Sequence, residues 1–200
     1  MFDARLRKLI DPTLETIAKK LASLGIGANA ITWLGFAIGV IAAWAIYSQL
    51  YIWALVFILV SRLCDGLDGT IARINGKTDL GGYLDIVLDF AFYAIVPLAF
   101  IWSDPAENWA AGSVLLAVFY FNGASFLTYA LLSEKRGATE TERGSKSFLY
   151  SFGLAEAGET LFVFALFCVF PSWFSPIAYV FAFIVLFTTI VRFVQAYQEF

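Results

Sequence analysis

Residues 62–73 read Arg62-Leu63-Cys64-Asp65-Gly66-Leu67-Asp68-Gly69-Thr70-Ile71-Ala72-Arg73, and residues 81–89 read Gly81-Gly82-Tyr83-Leu84-Asp85-Ile86-Val87-Leu88-Asp89. Asp65 and Asp68 are three apart and Asp85 and Asp89 four apart, so each pair shares one face of a helix. The short connection makes the two helices neighbours, and the pairs can converge. Two carboxylates about 4 Å apart repel by about 4 kcal/mol at an effective dielectric near 20. Such a group must be protonated, held apart or bridged by cations. The chain has no His, and an all-oxygen ligand set favours Mg²⁺ or Mn²⁺ over zinc, with Ca²⁺ also compatible by residue type. The competing reading is a structural ion-pair network with Arg62, Arg73 and Lys77. The grouping of the carboxylates face by face argues against it.

Outward from this stretch the chain is strongly apolar: of 200 residues, 60% are hydrophobic and 14% charged, with a mean hydropathy of +0.78. A soluble domain carries about 45–50% apolar and about 25% charged residues, so the excess is expected to face lipid. Apolar windows recur at Ile31–Tyr47, Ile52–Leu63, Tyr83–Trp102, Trp109–Leu131, Phe152–Phe170 and Phe174–Val194. The second window is short before it meets Arg62 and Asp65, so its helix is expected to continue with those groups in an aqueous pocket. Phe2, Leu6, Leu9, Ile10, Leu14, Ile17 and Leu21 recur at mostly helical spacing among basic residues, the pattern of a helix lying in the headgroup layer. The alternative for this segment is a solvated helix packed on the bundle. The fold class read here is an all-α polytopic membrane protein with six transmembrane helices and an N-terminal interfacial amphipathic helix. It forms one domain over residues 1–200, with the interfacial helix at 1–22 and the bundle at 29–198.

All 13 Lys and Arg fall before the first span, around residues 62–77, at 135–146 or near the C-terminus. The connectors Ser48-Gln49-Leu50, Asp104-Pro105-Ala106-Glu107-Asn108 and Pro171-Ser172-Trp173 hold none. With six spans this places both termini and the charged loops in the cytoplasm, in a multi-pass protein of the inner membrane. The first 25 residues lack the apolar stretch and cleavage site of a signal peptide. Nucleic acid is not an expected partner, because no long basic run or zinc-knuckle spacing is present. Cys64 and Cys168 are too few and too far apart to read as a disulfide framework.

A carboxylate-held cation at the cytoplasmic end of a membrane bundle suits phosphoryl transfer on an amphipathic substrate. Gly66, Gly69 and Gly81 agree with this, since glycine in or near a helix costs about 1 kcal/mol unless something approaches the backbone closely. Arg73 is a fixed cation for a phosphate oxygen. Other groups have plainer readings. Asp79 starts the third helix, Asp104 and Glu107 are solvated loop residues, and Gly35 with Gly39 lets neighbouring helices pack closely.

The pattern from Asp65 to Asp89 resembles the signature of the CDP-alcohol phosphotransferases: Asp, two residues, Asp-Gly, two residues, Ala-Arg, a spacer, Gly, three residues, Asp, three residues, Asp. Gly27-Ala28-Asn29-Ala30-Ile31-Thr32 is similar to that family's entry to its first span, with Ala28 in place of the usual Pro. The spacer from Arg73 to Gly81 holds seven residues where eight is usual. Lys146-Ser147-Phe148 and residues 153–160 are similar to a bacterial inner-membrane branch of the family. The resemblance implies Mg²⁺-dependent transfer of a phospho-alcohol group, typically phosphatidyl, from a CDP-linked donor such as CDP-diacylglycerol to an acceptor hydroxyl, with release of CMP in phospholipid biosynthesis. It implies two Mg²⁺ or Mn²⁺ ions on Asp65, Asp68, Asp85 and Asp89, with Asp89 also the general base. Asn29, Thr32, Asp65, Gly69, Arg73 and Gly81 would contact the CDP moiety, as would Thr78, which lies in the shortened spacer. The family also implies a homodimer.

The acceptor alcohol is left open between two sets of residues. Glu156 and Glu159 share a face of the fifth span and are candidates for its hydroxyls or a cationic group, or for structural pairing with Lys146 or Arg192. A phosphorylated polyol would instead suit Lys135, Arg136, Arg143 and Lys146. Two other functions compete: a carboxylate-lined cation or proton transporter, and a non-catalytic relative that binds CDP-lipid without turnover.

Overall fold

The structure, a computed structural model, describes residues 14–136 and 157–200, and every regular element among them is helical. The helices are α1 (14–23), α2 (Ala28–Tyr47), α3 (Tyr51–Asn75), α4 (Asp79–Ser103), α5 (Pro105–Lys135), α6 (Ala157–Val169) and α7 (Phe174–Glu199), with a 3₁₀ turn at Pro171–Trp173 before α7. The chain divides into two compact units, one up to Ser103 and one from Asp104 onward.

In the first unit, local signals set the boundaries. Gly25 adopts φ +80°, and the Gly25 and Ile26 amides donate to the Ala22 and Leu21 carbonyls. This paired closure ends α1 and favours glycine at its left-handed position. The same closure ends α2, with Gln49 at φ +60°; the Gln49 and Leu50 amides donate to Ile46 and Ala45. Gln49 also donates from Nε2 to the Ser103 carbonyl at 3.1 Å, which gives a side chain a use at a position glycine would otherwise take. Gly76, at φ +96°, ends α3, and Thr78 then accepts the Gly81 amide at 3.0 Å as α4 begins.

Each of the six apolar windows falls largely on a helix over its described residues, but the structure does not bear out six spans as such. Four segments are long and apolar enough to cross a bilayer: Ala28–Tyr47, Asp79–Ser103, Pro105–Lys135 and Pro171–Glu199. Helix α3 has the length but carries Arg62, Asp65, Asp68 and Arg73, and α6 is 13 residues long. The connector expected at 104–108 shrinks to Asp104, because Pro105 occupies the first helical position and Asp104 caps α5 by accepting the Glu107 amide. Of the expected N-terminal helix, residues 14–23 are helical. Ala18 is fully buried in a cluster with Ile31, Cys64 and Ile71, joined by Leu21 and Leu67. Residues 1–13 lie outside the described residues.

Close packing of α2 on α3 and α4 rests on two glycines. A Cβ on Gly35 would lie 2.9 Å from Cys64 Cβ, and one on Gly39 would lie 2.7 Å from the Phe92 ring. The packing role read for this pair holds. In the second unit α5 packs along α7, and the core is aromatic: Phe119 meets Phe164 and Phe181, and Phe167 meets Phe174 with ring centres 4.6 Å apart. Trp44, Trp53, Trp102, Trp109 and Trp173 are exposed close to the turns at 48–50, 104 and 170–173, as aromatic side chains are at a membrane boundary.

Candidate metal centre and donor site

The site lies in the first unit, where α3 and α4 face each other against α2. Asp65 and Asp68 project from α3 and Asp85 from α4, and one carboxylate oxygen of each lies within 4.8 Å of the others. At that distance and an effective dielectric near 20, each charged pair repels by about 3–4 kcal/mol. The cluster therefore calls for positive charge. Asp68 is 4% exposed, and its Oδ2 is buried with no hydrogen-bond partner among the described residues. An unpartnered buried carboxylate oxygen is costly unless something binds it. The donors are all oxygen, and Asp85 is exposed at the rim, so a hard divalent cation fits the set while retaining water ligands.

Asp89, one turn beyond Asp85, lines the same concavity, together with Thr32, Gly35, Phe36, Ser61, Arg62 and Leu88. It is not part of the three-carboxylate group. Arg62 Nη1 donates to Asp89 Oδ1 at 2.5 Å and lies 3.6 Å from Asp65 Oδ1. Its Nη2 donates to Ser61 Oγ at 3.3 Å, and Ser61 Oγ donates to the Gly35 carbonyl at 2.8 Å. The guanidinium carbon sits 4.0 Å over the Phe92 ring centre. The ion-pair reading thus holds for Asp89, with Asp65 a weaker second contact, while Asp68 and Asp85 stand outside it.

The residues expected to contact CDP fall in three places. Thr32 lines the aspartate concavity and donates to the Ala28 carbonyl at 3.1 Å. Asn29, Thr78 and Gly81 meet where α2 begins: a Cβ on Gly81 would lie 3.0 Å from Thr78 Oγ1 and 3.2 Å from Asn29 Oδ1. The seven-residue spacer therefore still brings Thr78 and Gly81 to Asn29. Arg73 is exposed in the last turn of α3, and its Nη2 donates to Thr70 Oγ1 at 2.8 Å. Gly69 beside it has only ordinary contact, with Arg73 Nη1 at 3.8 Å, whereas Gly66 faces Leu14 of α1 at 3.2 Å. A protein neighbour thus accounts for Gly66, whereas a Cβ on Gly69 would meet only the Arg73 side chain, at ordinary contact distance.

Lys146 and Glu156 lie outside the described residues. Glu159 stands in the first turn of α6, in the second unit. Arg136, read as part of a basic acceptor pocket, instead donates to the main-chain carbonyls of Glu199 and Phe200 and covers the Phe200 ring. Sequence reasoning weighed Arg62 only as a partner in a structural network and did not single out Ser61. Their signal was available in part, since Arg62 precedes Asp65 by one helical turn.

The profile of the CDP-alcohol phosphatidyltransferases matches residues 26–191, which include all four aspartates. The chain belongs to the CDP-alcohol phosphatidyltransferase family. It is 43% identical over 192 residues to the inner membrane protein YnjF of Escherichia coli, covering 96% of this chain and 93% of that one. It is 40% identical over 87 residues to the archaetidylinositol phosphate synthase of Pyrococcus horikoshii, a match spanning 43% of this chain and 46% of that enzyme. Its fold is similar to that of the Mycobacterium tuberculosis phosphatidylinositol phosphate synthase PgsA1, solved with CDP-DAG bound. The TM-score is 0.64 at 19% identity, over 93% of this chain and 90% of that one. This chain thus has a near full-length bacterial inner-membrane relative and shares the helical fold of PgsA1.

Proposed function

We propose that this chain transfers a phosphatidyl group from CDP-diacylglycerol to the hydroxyl of an alcohol, releasing CMP at the cytoplasmic face of the inner membrane. The observation that carries this reading is the convergence of Asp65, Asp68 and Asp85 beside Asp89 in a family member. Asp65, Asp68 and Asp85 would hold divalent metal, Mg²⁺ or Mn²⁺ by donor chemistry, with Asp89 adjoining a second ion. Bound there, such ions neutralise diphosphate oxygens and align the phosphorus for attack.

The chain's own residues supply the rest. Asn29, Thr78 and Gly81 form a close polar corner for the nucleotide, in which glycine leaves room for the Thr78 and Asn29 oxygens. Thr32 borders the aspartates, and Gly69 leaves the backbone open next to Arg73, whose charge can meet a phosphate oxygen. Asp89 takes the proton of the acceptor hydroxyl as its oxygen bonds to the phosphatidyl phosphorus; the bond from that phosphorus to the CMP oxygen breaks, and CMP leaves. The acceptor is an alcohol that presents its hydroxyl to Asp89.

CMP release from CDP-diacylglycerol by the purified full chain, with glycerol 3-phosphate, inositol phosphate and amino alcohols offered separately, tests this reading. One acceptor is expected to give release that stops on metal chelation and falls by at least about a hundredfold in Asp89→Asn, the scale of a lost general base. Release that survives both treatments would overturn it, as would metal or proton flux in proteoliposomes without any nucleotide dependence.

A further inference from the structure

The family signature begins at Asp65, and the side chain that engages its last aspartate stands one turn earlier. Arg62 is held at both terminal nitrogens, while its Nε is buried without a hydrogen-bond partner among the described residues. Its side chain is 14% exposed, Phe92 forms a shelf beneath the guanidinium, Ser61 accepts from Nη2, and Nη1 is directed at Asp89. The shelf is itself fixed, since Phe92 is fully buried and abuts Gly39 at a distance that leaves no room for a Cβ. Ser61 is anchored in turn by the Gly35 carbonyl. Helices α2, α3 and α4 therefore all contribute to the placement of one guanidinium.

An arginine used for packing alone has no need of a carboxylate from the neighbouring helix at 2.5 Å, and one that bound the donor's phosphates would have to leave a site where it is held by three groups. The same Arg62 nitrogen also lies 3.6 Å from Asp65, so one guanidinium faces the first and the last aspartate of the signature together. A planar guanidinium on an aromatic face is pre-organised, and one of its nitrogens can fix a carboxylate oxygen with little further loss of freedom.

We propose that Arg62 is a positioning residue for Asp89: it holds Oδ1 from α3 so that the other carboxylate oxygen faces the acceptor hydroxyl. The proposal rests on the reading of Asp89 as the base. It assigns Arg62 no contact with the donor, so its loss slows turnover without weakening donor binding.

The first measurement is the dipolar coupling between Arg62 ¹⁵Nη and Asp89 ¹³Cγ in the full chain, reconstituted in bilayers with CDP-diacylglycerol and Mg²⁺. A retained coupling is expected. Its loss on adding Mg²⁺ would overturn the proposal, since Arg62 would then only stand in for the ion. The second compares Arg62→Lys and Arg62→Met with the wild type on CDP-diacylglycerol and the alcohol that supports release. Arg62→Met is expected to lose about a hundredfold in kcat with the donor KM within twofold, and Arg62→Lys to recover at least tenfold of that loss. A donor KM raised tenfold with kcat kept, or an undiminished kcat in Arg62→Met, would overturn it. Asp89→Asn separates the two claims: full turnover in that variant removes the base itself, whereas its inactivity beside a fully active Arg62→Met removes only the positioning role. Should Arg62→Met fail to fold, the coupling in the wild type decides alone.

Discussion

Gly39 of α2 and Phe92 of α4 touch so closely that any side chain at position 39 would enter the ring: a Cβ would lie 2.7 Å from Cδ2 and 3.2 Å from Cε2. Because Phe92 also carries the Arg62 guanidinium, the contact between α2 and α4 is coupled to the acidic site that α3 and α4 share. Gly39→Ala is expected to lower stability by about 1–3 kcal/mol, the range for overpacking a filled interior. Gly82→Ala, with nothing within 4 Å of its Cβ, is expected to be neutral or to gain up to about 1 kcal/mol from helix propensity. Thermal unfolding of both variants in the same detergent checks the contrast.

Asp68 combines deep burial with an unpartnered oxygen, which opposes stability and suits a proposed metal ligand. Asp68→Asn removes a charge that the fold does not pair. Folding stability is therefore expected to stay level or rise, while Mn²⁺ affinity falls by at least about tenfold, or about 1.4 kcal/mol. Thermal unfolding without metal and Mn²⁺ titration by electron paramagnetic resonance measure the two halves separately. Unchanged Mn²⁺ affinity would count against the ligand role.

The corner of Asn29, Thr78 and Gly81 makes a different demand. Gly81→Ala crowds two polar atoms, at 3.0 and 3.2 Å, without touching the aspartates. It is expected to raise the KM for CDP-diacylglycerol about tenfold, with kcat and metal affinity little changed. A fall in kcat at constant KM would move this corner out of the donor site.

At the C-terminus of α7, Tyr129 donates to the Glu199 carboxylate while Arg136 donates to the Glu199 and Phe200 carbonyls. These bonds satisfy carbonyls that the end of a helix leaves open. Arg136→Ala is expected to destabilise the last turn by about 1 kcal/mol, seen as faster amide exchange over 196–200, without raising the KM for any acceptor. An acceptor KM raised tenfold would restore Arg136 to the acceptor pocket.

Spacing made much of the fold and half of the site legible. Three- and four-residue intervals put Asp65 with Asp68 and Asp85 with Asp89 on shared faces, and the short link between the helices brought Asp85 to the first pair. Gly35 and Gly39 could be read as packing positions from their own spacing. The hold of Arg62 on Asp89 could not be read, because it depends on Phe92, Ser61 and Gly39, which three helices bring together. Gly66 misled in the same way, since its neighbour is Leu14, more than fifty positions earlier. The connector at 104–108 was read too long because Asp-Pro resembles a loop, whereas here Asp104 caps and Pro105 begins a helix.

The most direct test of the central claim is anomalous scattering from Mn²⁺ in crystals of the full chain grown with CDP. The expected result is a peak within bonding distance of Asp65, Asp68 and Asp85 and beside the nucleotide diphosphate, absent in Asp68→Asn. Nucleotide bound with no manganese among these three carboxylates, or manganese bound only elsewhere on the chain, would contradict it.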